Sequence, residues 1–120
     1  MIRSILFVAI GGATGAVGRY LLSRLCTASF PWGTLTVNLI GCLLIGLLTG
    51  MAGRGTLSAD MKLLLVTGFC GGFTTFSTFA NESLSMMRMG EVLQAATYIG
   101  LSVAAGILAV YAGMRLTFNN

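Results

Sequence analysis

Residues 67–79, TGFCGGFTTFSTF, decide how the rest of this chain is interpreted. The glycine pair Gly71 and Gly72 precedes four hydroxyl side chains grouped around a phenylalanine, all inside an uncharged apolar segment long enough to cross a bilayer. Hydrocarbon offers no water to backbone groups freed from a helix, so a break at that depth persists only where protein or a water-filled path faces it. The segment therefore predicts a membrane-spanning helix that is broken between Gly71 and Thr75 and that lines a route for an ion or solute.

The composition is that of an integral membrane protein. Of the 120 residues, 56% are hydrophobic and only 8% are charged, with a mean hydropathy of +0.92, whereas a soluble domain carries about a quarter charged residues. The lack of histidine excludes imidazole acid–base chemistry, and the acids Asp60, Glu82 and Glu91 form no pair at catalytic spacing. We therefore expect a protein that is not an enzyme. The net charge of +4 is scattered, which does not favour nucleic-acid binding.

The cysteines and the N-terminal segment have structural interpretations. Cys26, Cys42 and Cys70 form no CxxC motif, and we interpret them as reduced packing residues. The first residues combine one basic side chain with an apolar core, as a signal peptide does. We expect this segment to be retained as the first span.

Apolar runs divide the chain into four predicted helical spans of a single transmembrane domain: residues 4–25, 33–52, 62–87 and 92–114. About 20 apolar residues are needed to cross a bilayer as a helix. The linkers are short, and Ser58 and Asp60 are cap or turn candidates in the middle one. The predicted class is an all-α, multi-pass membrane protein.

The distribution of basic side chains leaves the orientation in the membrane open. With four spans, both termini and the middle loop lie on one side, where the basic residues are Arg3, Arg54, Lys62 and Arg115. The opposite side holds Arg24, Arg88 and, if it is counted, Arg19. The positive-inside rule uses such a bias, and here the bias is weak. Charge alone is equally compatible with one fixed orientation and with insertion both ways, which would allow an antiparallel dimer.

Small residues recur at helix-packing spacing in every span. The sets are Gly11/Gly15, Gly46/Gly50, Gly68/Gly72 and Ala105/Ala109/Gly113. Small residues four apart let helices approach closely in lipid, where the hydrophobic effect gives no net drive to associate. The pattern predicts a tight bundle. Because one four-helix unit of this size can hardly enclose a path by itself, we expect a dimer.

The polar side chains within the spans favour a small anion as the transported species. Hydrogen-bond donors are supplied by Asn38, Ser77, Thr78 and Tyr98, with Ser102 on the same helix face as Tyr98. Phe76 and Phe79 lie three residues apart, and the edges of aromatic rings are electropositive. A cation path would instead favour carboxylates or rings of carbonyls.

Three motifs resemble those of the Fluc (CrcB) family of fluoride channels. They are GGATGAVGRY at residues 11–20, PWGTLTVNLIG at residues 31–41, and TGFCGGFTTFSTF at residues 67–79 with Glu82 after it. The resemblance covers essentially the whole chain, and the GGxTTFSTF run is its most specific part.

The resemblance implies an architecture and an activity. Members of this family are antiparallel, dual-topology homodimers with two pores and a broken third helix. At the break, main-chain carbonyls hold one structural Na⁺ shared by both subunits, and by motif position these belong to Gly71 and Thr74. The implied function is passive export of F⁻ across the bacterial inner membrane, which relieves fluoride toxicity.

The resemblance also assigns roles to residues. Asn38 matches the pore asparagine, and Phe76 and Phe79 match the paired pore phenylalanines. Our candidates for a hydroxyl track beside them are Ser77, Thr78, Tyr98 and Ser102. Arg19 matches a basic residue at a vestibule, where it would concentrate anions; the alternative is an interfacial arginine with no such role. We expect Glu82 to be structural and bonded to Ser or Asn neighbours.

The competing hypothesis is a small four-helix, proton-coupled multidrug exporter. Such a protein needs a carboxylate embedded in the membrane, typically in its first span, and residues 4–18 contain none. A purely structural subunit is a third possibility, but it leaves the broken span unexplained.

Overall fold

The computed structural model describes residues 1–24 and 30–118, and over these ranges the chain is helical without strands. Four helical segments are long and apolar enough to cross a membrane: Ile2–Arg24, Trp32–Gly53, Ala59–Arg88 and Val92–Phe118. This confirms the predicted all-α class. Leu25, where the first span was predicted to end, and Cys26 lie outside the described residues.

Within residues 1–24 and 30–118, six α-helices and one π-helical segment make up the four spans. Helix α1 is Ile2–Arg24, α2 is Trp32–Gly53 and α6 is Val92–Phe118, which continues past the predicted end at residue 114. The third span consists of α3 (Ala59–Lys62), a π-helical segment (Leu63–Cys70), α4 (Gly71–Phe73) and α5 (Phe76–Arg88). The break between α4 and α5 lies within the predicted interval. The π-helical segment was not predicted.

Short turns connect the second, third and fourth spans. Gly55 follows α2 and Gly90 follows α5, with φ of 76° and 82°, a region in which a Cβ is disfavoured. The Ser58 side chain caps α3 by accepting a hydrogen bond from the Met61 N–H at 3.2 Å, as predicted. Asp60 forms an ion pair with Arg3 at 2.8 Å, which places the start of α1 beside the start of the third span.

Two close helix pairs form the protomer, and glycine permits both. In the first pair α1 lies against the π-helical segment and α4. A Cβ on Gly11 would overlap Leu64 O, and a Cβ on Gly15 would overlap Phe69 O. The two backbones are therefore in direct contact, as the small-residue spacing predicts.

The second pair is α2 with α6. A Cβ on Gly46 would overlap the Val110 carbonyl, and one on Gly113 would lie 2.7 Å from Leu47 N. The Thr117 hydroxyl donates to Leu47 O at 3.0 Å across the same contact. These contacts confirm the predicted packing faces at Gly46 and Gly113.

The third span joins the two pairs. Its first half, residues 59–73, packs mainly on α1, while α5 packs on α6 and α2. A core cluster of Leu35, Met86, Ala95 and Tyr98 fixes α5 in that position. The break therefore lies where the third span crosses from one helix pair to the other.

Candidate functional site

The break consists of two threonines in extended conformation. Thr74 has φ −86° and ψ 158°, and Thr75 has φ −147° and ψ 117°. The Thr75 hydroxyl accepts a hydrogen bond from the Thr78 N–H at 3.3 Å and so caps the N-terminus of α5. A threonine at this position is a preferred helix start because its side chain satisfies an N–H that has no partner within the helix.

Asn38 on α2 binds the backbone of the break. The Thr75 N–H donates to Asn38 Oδ1 at 2.8 Å, and Asn38 Nδ2 donates to Thr75 O at 3.1 Å. The side-chain amide thus pairs with the main chain as a neighbouring strand would. Because a backbone group freed in an apolar environment costs free energy unless it is bonded, this pair stabilises the extended conformation.

The break removes the intrahelical donors of the carbonyls that precede it, and for two of them, those of Gly71 and Thr74, the structure shows where these donors go. In an unbroken α-helix these oxygens accept from the N–H groups of Thr75 and Thr78, four residues on. Here the Thr75 N–H donates to Asn38 Oδ1 and the Thr78 N–H to Thr75 Oγ1. Gly71 is exposed at the protomer surface.

Carbonyl oxygens are ligands that suit hard cations. The described residues contain no group of three or more His, Cys, Asp or Glu that could hold a metal ion. The Gly71 and Thr74 carbonyls are ligands of the type that would suit Na⁺, and the sodium site that the resemblance implies stays a prediction.

A groove of about 440 Å³ opens beside the break. Six of the predicted site residues line it: Asn38, Gly71, Thr74, Phe76, Phe79 and Ser102. The structure thus brings together residues from the second, third and fourth spans. Most of the remaining lining is apolar, so polar contacts in this groove come from a few hydroxyl and amide groups.

The two predicted pore phenylalanines differ in their surroundings. Phe76 is 77% exposed in the protomer, and its ring centroid lies 5.7 Å from that of Phe79. Phe79 is half-buried and also contacts Tyr98, with centroids 5.1 Å apart. Phe76 is therefore free to face an ion or a partner subunit, whereas Phe79 is part of the packed wall.

The hydroxyl candidates fall into separate groups. Ser77 and Thr78 are exposed near Thr75, whose hydroxyl lies 3.5 Å from Ser77 Oγ and 3.1 Å from Thr78 Oγ1. Ser102 Oγ is buried, and of such side-chain atoms in residues 1–24 and 30–118 it is the one without a hydrogen-bond partner. The place of Ser102 in a hydroxyl track stays a prediction.

Tyr98 is fully buried, and its hydroxyl is already bonded. It donates to Glu82 Oε1 at 3.0 Å, while the Thr34 hydroxyl donates to Glu82 Oε2 at 3.1 Å. Glu82 is thus bonded to neighbouring helices, but its partners are Thr34 and Tyr98 and not the expected Ser or Asn. The cluster links α2, α5 and α6.

Arg19 lines a second groove of about 280 Å³, on the α1 side of the break. Thr34, Thr75 and Thr78 line the same groove, and Thr75 lines the larger groove as well. Thr75 therefore lies between the groove lined by Arg19 and the groove lined by Phe76 and Phe79. Both the Arg19 role and the pore assignments remain predictions.

Thr34, Gly41 and the bonding role of Thr75 were not predicted from the sequence. Thr34, Asn38 and Gly41 follow at i, i+4 and i+7 on α2, so they share one helix face. That spacing is a signal from which the face could have been found. Cys42 and Cys70 are free thiols, in agreement with their prediction as reduced packing residues.

Comparisons with known proteins give the family to which this chain is related. The family model described as "CrcB-like protein, Camphor Resistance (CrcB)" matches residues 6–114. A Phocaeicola vulgatus protein named fluoride-specific ion channel FluC is 47% identical over 119 residues, covering 96% of this chain and 98% of its own length. Fluoride-specific ion channel FluC 2 of Rhodococcus jostii is 48% identical over 116 residues, covering 95% and 98%. FluC of Rhizobium etli is 44% identical over 121 residues, covering 97% and 96%.

Proposed function

The chain belongs to the CrcB-like protein family, and on that premise we propose that it is a passive, fluoride-selective ion channel of the bacterial inner membrane. It exports F⁻ and so relieves fluoride toxicity. Its relatives carry the names of ion channels, a class of protein that needs no catalytic site.

The observation that carries the proposal is the bonded break in the third span. An anchor or a packing helix has no use for two extended residues at membrane depth. Here Asn38 stabilises the extended Thr75, and both lie in the wall of the groove that contains Phe76 and Phe79. A break with this lining is typical of a permeation path.

The groove offers an anion the contacts it loses on leaving water. Asn38, Ser102, Phe76 and Phe79 line it, and the rings carry electropositive edges. Ser77 and Thr78 lie outside this groove, where they are exposed beside Thr75. Arg19 provides positive charge at the α1 side. At an inside-negative potential, moving one negative charge outward releases about 2.3 kcal/mol per 100 mV, so export needs no other energy source.

The functional unit in this proposal is an antiparallel homodimer with a structural Na⁺ at its centre. Gly71 and Phe76 are both exposed on the protomer beside the break, so a second copy has a surface to cover there. Each protomer contributes the Gly71 and Thr74 carbonyls, whose helical donors are diverted. A shared cation satisfies these oxygens and joins the two breaks.

Proteoliposomes test the channel. Purified protein is reconstituted into vesicles loaded with potassium fluoride, and efflux is followed with a fluoride electrode after valinomycin is added. We expect rapid F⁻ release that requires valinomycin, because a passive channel moves charge and K⁺ must follow. A matched set loaded with KCl is expected to release little Cl⁻.

A second assay separates the channel from a proton-coupled exporter. The same vesicles, given a pH gradient and a lipophilic cation, are expected to show no driven uptake. Uptake of the cation with no valinomycin-dependent F⁻ efflux would overturn the proposed function. The Na⁺ site is tested separately by a sodium titration of the protein's thermal stability.

A further inference from the structure

Helix α2 presents a notch to the break, formed by Asn38 and Gly41. These residues are three apart and therefore adjacent on one helix face. Asn38 binds the Thr75 backbone, while the buried Gly41 faces the side chain of the preceding residue, Thr74. A Cβ on Gly41 would overlap Thr74 Cγ2 and would lie 3.5 Å from Phe73 Cδ2.

The Thr74 side chain cannot rotate away without losing a hydrogen bond. Its Oγ1 donates to Cys70 O at 2.8 Å, and its N–H donates to the same oxygen at 3.0 Å. Because Oγ1 and Cγ2 share one carbon, turning the methyl group away also removes Oγ1 from Cys70. An added methyl group at Gly41 therefore pushes on the Thr74 backbone and on its carbonyl.

We infer that Gly41 is a positioning residue. Because it has no side chain, the broken segment of the third span can lie close against α2, and this position sets the direction of the Thr74 carbonyl. The sodium part of this inference rests on the proposed function, in which that carbonyl binds Na⁺. The packing part rests on the contact between Gly41 and Thr74 alone.

Gly41 differs from Gly11, Gly15 and Gly46 in what it contacts. Gly11, Gly15 and Gly46 face backbone atoms of a neighbouring helix, so no second substitution can make room for a Cβ. Gly41 faces one side-chain methyl group. Thr74→Ser removes that methyl group and keeps the hydroxyl that bonds Cys70, so it is expected to make room for alanine at position 41.

The experiment is a double-mutant cycle of wild type, Gly41→Ala, Thr74→Ser and the double variant, with Gly100→Ala as a control. A Cβ on Gly100 has no atom within 4 Å. Each protein is purified in detergent, and its thermal unfolding midpoint is measured against Na⁺ concentration, with N-methyl-D-glucamine holding the ionic strength constant. The readout is the Na⁺ concentration that gives half of the maximal stabilisation.

We expect Gly41→Ala to raise this concentration by about tenfold, the equivalent of about 1.4 kcal/mol and within the usual cost of over-packing. Added to the Thr74→Ser protein, the same change is expected to raise it by no more than about twofold, the scatter of non-interacting sites. Gly100→Ala should leave it unchanged. If Gly41→Ala raises the half-maximal Na⁺ concentration equally in the wild-type and the Thr74→Ser protein, the inference is overturned.

Two other outcomes are also decisive. If wild type shows no response to Na⁺, the proposed sodium site is overturned, and fluoride efflux from proteoliposomes replaces the readout in the same cycle. If Gly41→Ala does not fold, the double variant is still expected to fold as well as Thr74→Ser. If the double variant also fails to fold, the inference that the Thr74 methyl group limits the space at Gly41 is overturned.

Discussion

The side-chain amide of Asn38 and the backbone of Thr75 form two hydrogen bonds to each other, at 2.8 and 3.1 Å. The two residues are 37 positions apart in the chain. This pair holds the third span open at the point where it crosses from α1 to α6. It gives the predicted pore asparagine a structural role in addition to any contact with an ion.

Replacing Asn38 with Asp is expected to abolish most fluoride efflux and to lower the stability by about 1–3 kcal/mol, because Thr75 O loses its donor and faces a carboxylate. The measurements are electrode-detected efflux and the thermal unfolding midpoint. Asn81→Asp is the control, since Asn81 is exposed on α5. Wild-type efflux from the Asn38 variant would contradict the assignment of the break to the pore.

Phe76→Ile and Phe79→Ile are expected to separate conduction from stability. Both should reduce fluoride efflux, because each removes an aromatic edge from the groove. Phe79→Ile should lower the unfolding midpoint more than Phe76→Ile, by the equivalent of about 0.5–1.5 kcal/mol, because of these two residues only Phe79 also packs against Tyr98. Unfolding midpoints that fall equally in the two variants would show that Phe76 is a packing residue.

Gly15→Ala is expected to destabilise the protein by about 1–3 kcal/mol, because the new Cβ would overlap Phe69 O and lie 2.9 Å from Phe73 N. Gly12→Ala, on the same helix, is the matched control. Its Cβ would meet only Gly68 O, at 3.9 Å. The comparison is made by thermal unfolding in one detergent, and equal midpoints for the two variants would rule out close contact between α1 and the third span.

Glu82→Ala is expected to cost about 1–3 kcal/mol for each hydroxyl left unpaired, those of Thr34 and Tyr98. Glu82→Gln keeps one acceptor oxygen and replaces the other with an N–H₂ donor, so one of the two hydroxyls must accept instead of donate. We expect its unfolding midpoint to lie nearer to that of wild type than to that of the Ala variant. Glu91→Ala serves as a control, since Glu91 is exposed. If the Gln variant were as unstable as the Ala variant, the charge of Glu82 and not its hydrogen bonding would be what stabilises this cluster.

Sodium is expected to stabilise the dimer by linkage. Above its dissociation constant, each tenfold rise in Na⁺ should add about 1.4 kcal/mol to the free energy of unfolding, because the ion binds only the folded state. The unfolding midpoint is measured in NaCl and in N-methyl-D-glucamine chloride at equal ionic strength. Identical midpoints in the two salts would remove the structural Na⁺ from the proposal.

Several features of the fold and site follow from short stretches of sequence. The four spans are predictable because transfer into hydrocarbon depends on the local sum of apolar side chains. The position of the break is predictable because glycines followed by a run of hydroxyl residues weaken a helix locally. The close packing at Gly11, Gly15 and Gly46 follows from spacing alone.

Other features depend on which helices meet. The apolar run Leu63–Cys70 has no pattern that distinguishes a π-helix from an α-helix, and its wider turns were found only in the structure. Glu82 was expected to bond Ser or Asn, yet its partners come from α2 and α6. Hydrogen-bond partners distant in sequence cannot be read from residue type when several hydroxyls compete for one carboxylate.

Neighbouring residues are enough to predict four membrane crossings and an interruption of the third between Gly71 and Thr75, because both properties are local. The partners of the interruption depend on how the helices pack, since Asn38 and Gly41 reach Thr75 and Thr74 through the contact of α2 with the third span. Backbone groups freed in hydrocarbon must find partners, and which partners they find is a property of the assembled helices.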